Sequence, residues 1–89
     1  MNTESTVSTL IGKKIKTLRR NAGYTISEFA KLSGCTSEQQ LYRYERGVNK
    51  IDIDTLISML KTLNINAGGF FEQIVDEISK ESDDYNVNI

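Results

Sequence analysis

The stretch from Ser37 to Gly47, SEQQLYRYERG, places two adjacent glutamines, two tyrosines and two arginines between a helix-capping serine and a glycine. Side chains of this kind, set in a fixed array, do recognition chemistry. A glutamine amide can hold adenine N6 and N7 together, and an arginine guanidinium can hold guanine O6 and N7. Catalysis has little to draw on in the rest of the chain. Histidine is absent and Cys35 is the single cysteine among 89 residues, which removes zinc-finger ligand sets, Cys/His nucleophile pairs and disulfide frameworks by simple count. No catalytic group, metal site, cofactor or small-molecule ligand is expected.

The array needs a helix to hold it. If Leu41 faces inward, a rotation of about 100° per residue turns Ser37, Tyr44 and Glu45 toward the protein and sets Gln39, Arg43 and Arg46 on the far side, with Gln40 and Tyr42 flanking them. Ser37 with Gln40 three residues on reads as a capping box, which predicts a helix from about Glu38 to Arg46 that stops at Gly47. A major groove about 12 Å wide admits such a helix.

Other elements follow from spacing and caps. Leu10, Ile11, Ile15 and Leu18 recur at helical intervals before Gly23, predicting a first helix over 9–22. Thr25 and Glu28 form a second capping box. The short helix it opens has Phe29, Ala30 and Leu32 as its expected inner face and ends at Ser33 and Gly34. Two short helices joined by a glycine-containing turn are the pattern of a helix-turn-helix. Asp52 can cap a fourth helix carrying Ile53, Leu56, Ile57, Leu60 and Leu63, broken at Asn64. Asn66 can cap a fifth, carrying Phe70, Phe71, Ile74, Val75 and Ile78. The last residues, SDDYNVNI, are polar, although Tyr85, Val87 and Ile89 alternate as a small edge strand would.

Charge is divided along the chain. From Lys13 to Lys50 nine basic residues stand against three acidic ones, a net of +6, whereas from Ile51 to Ile89 two stand against eight, a net of −6. A basic front and an acidic back suit a protein that turns one face to phosphates, although a solvated surface explains charge runs as well. With 38% apolar residues the chain can build one small domain, and a partner subunit would add burial. No membrane span or signal peptide is expected, since apolar runs do not exceed two residues. A cytoplasmic location follows from that reading.

From Ile11 to Phe71 the sequence resembles the Cro/C1-type (XRE) helix-turn-helix regulators, through IGKKIKTLRRNAGYT, EFAKLSG, RYERG and DTLISMLKTLNI. SEQQLYRYERG is also similar to the corresponding motif of MrpJ-type regulators encoded with fimbrial operons in enteric bacteria. The resemblance implies an all-α, five-helix, lambda-repressor-like fold and a sequence-specific regulator of transcription that binds double-stranded DNA. Its third helix would read an inverted repeat in the major groove, with fimbrial or motility genes as the targets suggested by the closer similarity.

Carried over by residue, the resemblance sets Ser37, Glu38, Gln39 and Arg43 where base contacts come from, with Gln40 beside them. Glu38 could accept from cytosine N4 or could serve the positive end of the helix dipole. The resemblance further implies that Arg19 and Glu45 pair across the first and third helices. Two departures stand out. Between Gly34 and RYERG the chain has one residue more than the family spacing, which lengthens the turn and allows contacts to slip by one. Ile26 stands where the family commonly has a phosphate-binding glutamine, and its side chain offers no hydrogen bond. Phosphate contacts are therefore expected from Lys14, Thr25, Tyr42, Arg46, Asn49 and Lys50, and from the N–H groups opening the second helix. Lys13, Lys16 and Arg20 rank below them. Tyr44 is expected to fill the core, and Cys35 to pack as a small apolar residue, with a redox-sensing thiol as the alternative.

Adjacent Phe70 and Phe71 point about 100° apart, so the fifth helix has apolar surface for its own core and for something outside. Phe70, Phe71, Ile74, Val75 and Ile78 are expected to form a homodimer interface. The region resembles that of the small controller proteins of restriction-modification systems, which dimerise there. The expected organisation is a flexible N-terminus over 1–8, a DNA-binding domain over 9–66, a dimerisation helix over 67–80 and a flexible tail over 81–89. An antitoxin, a restriction-modification controller, or an interaction module that no longer binds DNA are the alternatives.

Overall fold

The computed structural model describes residues 3–82, with side chains from residue 7 to residue 80. Those residues form five helices and no strand: α1 (Thr3–Asn21), α2 (Ile26–Leu32), α3 (Glu38–Glu45), α4 (Ile53–Thr62) and α5 (Ala67–Ser82). No helix among them is long and apolar enough to cross a membrane.

Local chemistry fixes most of the boundaries. At the start of α2 the Thr25 hydroxyl accepts from the Glu28 N–H at 3.1 Å while the Thr25 N–H donates to Glu28 Oε1 at 2.9 Å, so two otherwise unpaired donors are satisfied at once. Asp52 Oδ1 accepts from the Thr55 N–H at 2.9 Å to open α4, and Asn66 Oδ1 accepts from the Gly69 N–H at 2.7 Å in the first turn of α5. The first four helices close alike: Gly23, Gly34, Gly47 and Asn64 take positive φ. The next N–H then reaches back five residues, from Tyr24 to Arg19, Cys35 to Ala30, Val48 to Arg43 and Ile65 to Leu60.

The first helix starts earlier than expected. Residues 3–8, read from sequence as flexible, are helical. No glycine or proline interrupts them, and half-buried Val7 lies one turn before Ile11, which carries the apolar stripe back toward the start. α5 runs two residues beyond its expected end. The rest of the tail, including the alternating Tyr85, Val87 and Ile89, lies outside the described residues.

Ile15, Phe29, Leu41, Met59 and Leu60 are fully enclosed at the centre, with Ala30, Tyr44, Leu56, Phe70 and Ile74 around them. Two expectations about this core are corrected. Leu32 is 57% exposed, and Ser33 takes the inner position with its hydroxyl donating to the Phe29 carbonyl. Residue 33 falls about 40° from Phe29 on the side of Ala30, whereas residue 32 falls about 60° away on the other side. Phe70 and Ile74, assigned to a dimer interface, are 3% and 4% exposed and belong to the core of their own chain. They occupy one stripe of α5 at a four-residue spacing, and the neighbouring stripe carries half-buried Phe71 together with Val75, which is 61% exposed. Phe71 meets Phe70 edge to face with ring centroids 5.6 Å apart.

Candidate nucleic-acid interface

α3 divides cleanly between inside and outside. Leu41, Tyr44 and Glu45 are buried, whereas Gln39, Arg43 and Arg46 are exposed and Tyr42 is half exposed. Glu38, Gln39, Tyr42, Arg43 and Arg46 line one open surface along the helix. Amide and guanidinium donors brought together on such a surface have the shape and the groups to meet base edges in a major groove.

The inner side of α3 is fixed by three arrangements. Gly12 of α1 lies so close to the end of α3 that an added Cβ would sit 2.7 Å from the Glu45 carbonyl oxygen and closer still to that of Tyr44. Only glycine lets the two backbones approach this way. Gly47, with φ of 74°, meets α1 similarly, since a Cβ there would fall 2.7 Å from the Thr9 Cα. About two turns along α1 from Gly12, Arg19 crosses to α3. Its Nε donates to Glu45 Oε2 at 2.7 Å, its Nη2 to Glu45 Oε1 at 3.2 Å, and its Nη1 to the Tyr24 carbonyl at 2.9 Å. Both charged groups are buried. The forked guanidinium and the carboxylate match geometrically.

The start of α3 differs from a reciprocal capping box. Ser37 Oγ accepts from the Gln40 N–H at 3.1 Å, but Gln40 Oε1 accepts from the N–H of Thr36, at 2.8 Å, one residue before the cap. The amide thereby closes the long turn between α2 and α3. Within the expected base-reading set, Ser37 and Gln40 thus have side-chain oxygens already engaged by backbone N–H groups. Ser37 and Glu38 are exposed at the helix opening, where a carboxylate suits the dipole.

The expected phosphate ligands are distributed unequally. Thr25, Tyr42, Arg46, Asn49 and Lys50 are exposed, with Thr25 at the start of α2 and Asn49 and Lys50 in the segment following α3. Lys14 is corrected: its Nζ lies 2.6 Å from Glu77 Oε2 of α5, on the other side of α1. Residue 14 comes about 200° around the helix from Gly12, which faces α3. Lys16 and Arg20, ranked lower from sequence, instead line a groove with Arg19, Ile26, Tyr42, Glu45 and Arg46. The implied Arg19–Glu45 pair is the signal that could have found Lys16, which lies one turn before Arg19 on the same side of α1; Arg20, about 100° further round the helix, carries no such signal. Ile26 is half-buried and packs against the edge of the core.

Electrostatics around the turn are quiet. Burial pushes the Cys35 thiol up, partly opposed by a hydrogen bond with Ser33 and reinforced by Asp52 and Glu45, which disfavours the nucleophilic thiolate. The side chain packs against the core. Burial likewise raises the Tyr44 phenol. Hydrogen bonds from Thr55 hold the Asp52 carboxyl below the usual range.

A helix-turn-helix family model matches residues 15–70, from the middle of α1 into the first turn of α5. The chain is 35% identical over 66 residues to an uncharacterized HTH-type transcriptional regulator of Rickettsia conorii, covering 74% of this chain and 52% of that protein. It is 33% identical over 66 residues to another from Rickettsia prowazekii, covering 74% and 50%. The chain spans about half the length of these relatives. With its motifs at α2, turn and α3, and the family match across most of the described helices, the chain belongs to the Cro/C1-type helix-turn-helix family.

Proposed function

We propose that the protein is a sequence-specific, double-stranded-DNA-binding regulator of transcription that reads its operator with α3 in the major groove. The observation carrying this reading is the division of α3: Gln39 and Arg43 are exposed beside Arg46 while Leu41, Tyr44 and Glu45 are committed to packing. A helix held on its inner side and furnished with base-matching groups on its outer side is built to present them. The relatives named above as transcriptional regulators support the same reading. Gln39 and Arg43 are the principal base readers. Ser37, Glu38, Tyr42, Thr25, Asn49 and Lys50 surround them at the duplex.

The operator is an inverted repeat bound by a homodimer, with two copies of α3 about one DNA turn, ~34 Å, apart. Phe71 and Val75, rather than Phe70 and Ile74, supply the apolar surface for that contact. Selection of bound sequences from a random duplex pool tests the proposal. Enrichment of a two-fold symmetric site is expected, and Arg43→Ala should relax preference at one position of each half-site. Recovery of no enriched sequence at low salt would overturn the reading.

A further inference from the structure

We infer that the groove between α1, α2 and α3 is a seat for one backbone phosphate of bound DNA, with Lys16, Arg20 and Arg46 as its ligands and Ile26 and Tyr42 as its walls. The inference rests on the proposed DNA-binding reading and assigns a positioning role to two residues of α1. The groove holds about 500 Å³ and is lined by Lys16, Arg19, Arg20, Ile26, Tyr42, Glu45 and Arg46. Four cations and one carboxylate thus meet there. The carboxylate is already matched, because Glu45 receives two hydrogen bonds from Arg19, whose remaining Nη1 bonds the Tyr24 carbonyl. Three positive charges are left over, and among the described residues Lys16, Arg20 and Arg46 form no ion pair.

Concentrated positive charge on a partly apolar floor attracts an anion, and the walls lower the local dielectric and strengthen the attraction. Position selects which anion. Tyr42 and Arg46 line this groove and also the base-facing surface of α3 with Glu38, Gln39 and Arg43. A duplex seated on α3 therefore brings its sugar-phosphate edge over the groove, where the phosphate meets the three cations and Ile26 and Tyr42 offer apolar surface to the sugar. Because Arg19 spans the floor to hold α3, the seat ties the register of the backbone to the placement of the reading helix.

The test is a salt titration of duplex binding by the full chain, using the selected site and a random duplex. Lys16→Gln/Arg20→Gln should reduce the magnitude of the slope of log K against log salt by roughly 1 and weaken binding roughly tenfold at 0.1 M salt. The loss should be the same factor on both duplexes, because a phosphate contact carries no sequence information. Lys61→Gln/Lys80→Gln removes equal charge from α4 and α5 and should leave most of the slope. Arg46→Gln tests the third ligand from α3, so the outcome does not hang on the folding of the α1 variant, and circular dichroism melts monitor both. A wild-type slope kept in Lys16→Gln/Arg20→Gln and in Arg46→Gln would overturn the seat and leave the DNA-binding reading intact. A wild-type chain with no binding and no slope would overturn both.

Discussion

Replacing Arg19 by methionine should nearly unfold the protein. Methionine keeps much of the aliphatic volume but removes all three hydrogen bonds, two to Glu45 and one to the Tyr24 carbonyl. Glu45, 4% exposed, is then left as a buried carboxylate with its partner gone. Breaking a buried pair from one side costs about 3–5 kcal/mol. In a domain of this size each kcal/mol corresponds to roughly 4–8 °C of melting temperature, so the expected fall is about 12–40 °C. The assay is a thermal melt by circular dichroism, run with Glu45→Leu and with Arg19→Met/Glu45→Leu. If the destabilisation comes from the stranded charge, the double variant should lose much less than the two singles together, because neither charge is then buried alone. An Arg19→Met melt within a few degrees of wild type, or single effects that simply add, would refute the argument that this pair fixes α3 to α1.

Three other outcomes follow from the packing. Gly12→Ala should destabilise by about 1–3 kcal/mol, because the new methyl meets the carbonyl oxygens of Tyr44 and Glu45; a melt unchanged within error would show that α1 and α3 can part there freely. Phe71→Glu and Val75→Glu should shift the chain to a monomer in sedimentation at micromolar concentration with little change in melting, whereas Phe70→Glu should abolish folding; a monomeric wild type removes the dimer. Asp52, whose carboxyl is held low by its Thr55 hydrogen bonds, contributes stability that is present above the ordinary aspartate range near pH 4 and lost as pH falls through its lower folded value. Asp52→Asn should therefore flatten the acid side of the stability profile, and an unchanged profile would mean that the cap does not titrate with folding.

Much of this architecture could be read from sequence because it is decided within a few residues. The Thr25–Glu28 box and the Asp52 and Asn66 caps act over three positions, and the turns at Gly23, Gly34 and Gly47 over one. The inward position of Leu41 orients a whole face of α3 by rotation alone. What escaped reading depends on neighbours distant in the chain. Lys14 and Lys16 differ by two residues and look equivalent as charges, but the contact of Gly12 with α3 decides which faces the groove and which pairs with Glu77. Likewise, nothing local says whether Phe70 or Phe71 turns inward; the position of the core against α5 decides it. Ser33 displaced Leu32 from the interior because angular position on a short helix outweighed hydrophobicity once the serine hydroxyl had a carbonyl to bond.

The split within α3 also bears on how such a protein can change. Gln39 and Arg43 carry no packing duty, while Leu41, Tyr44 and Glu45 carry nearly all of the helix's attachment. Substitutions on the outer residues therefore leave folding stability almost untouched, and a lineage can explore new recognition preferences without passing through unstable intermediates. The helix behaves as an exchangeable key blank: its shank is cut once, by Gly12 and Arg19, and its teeth are free to be recut.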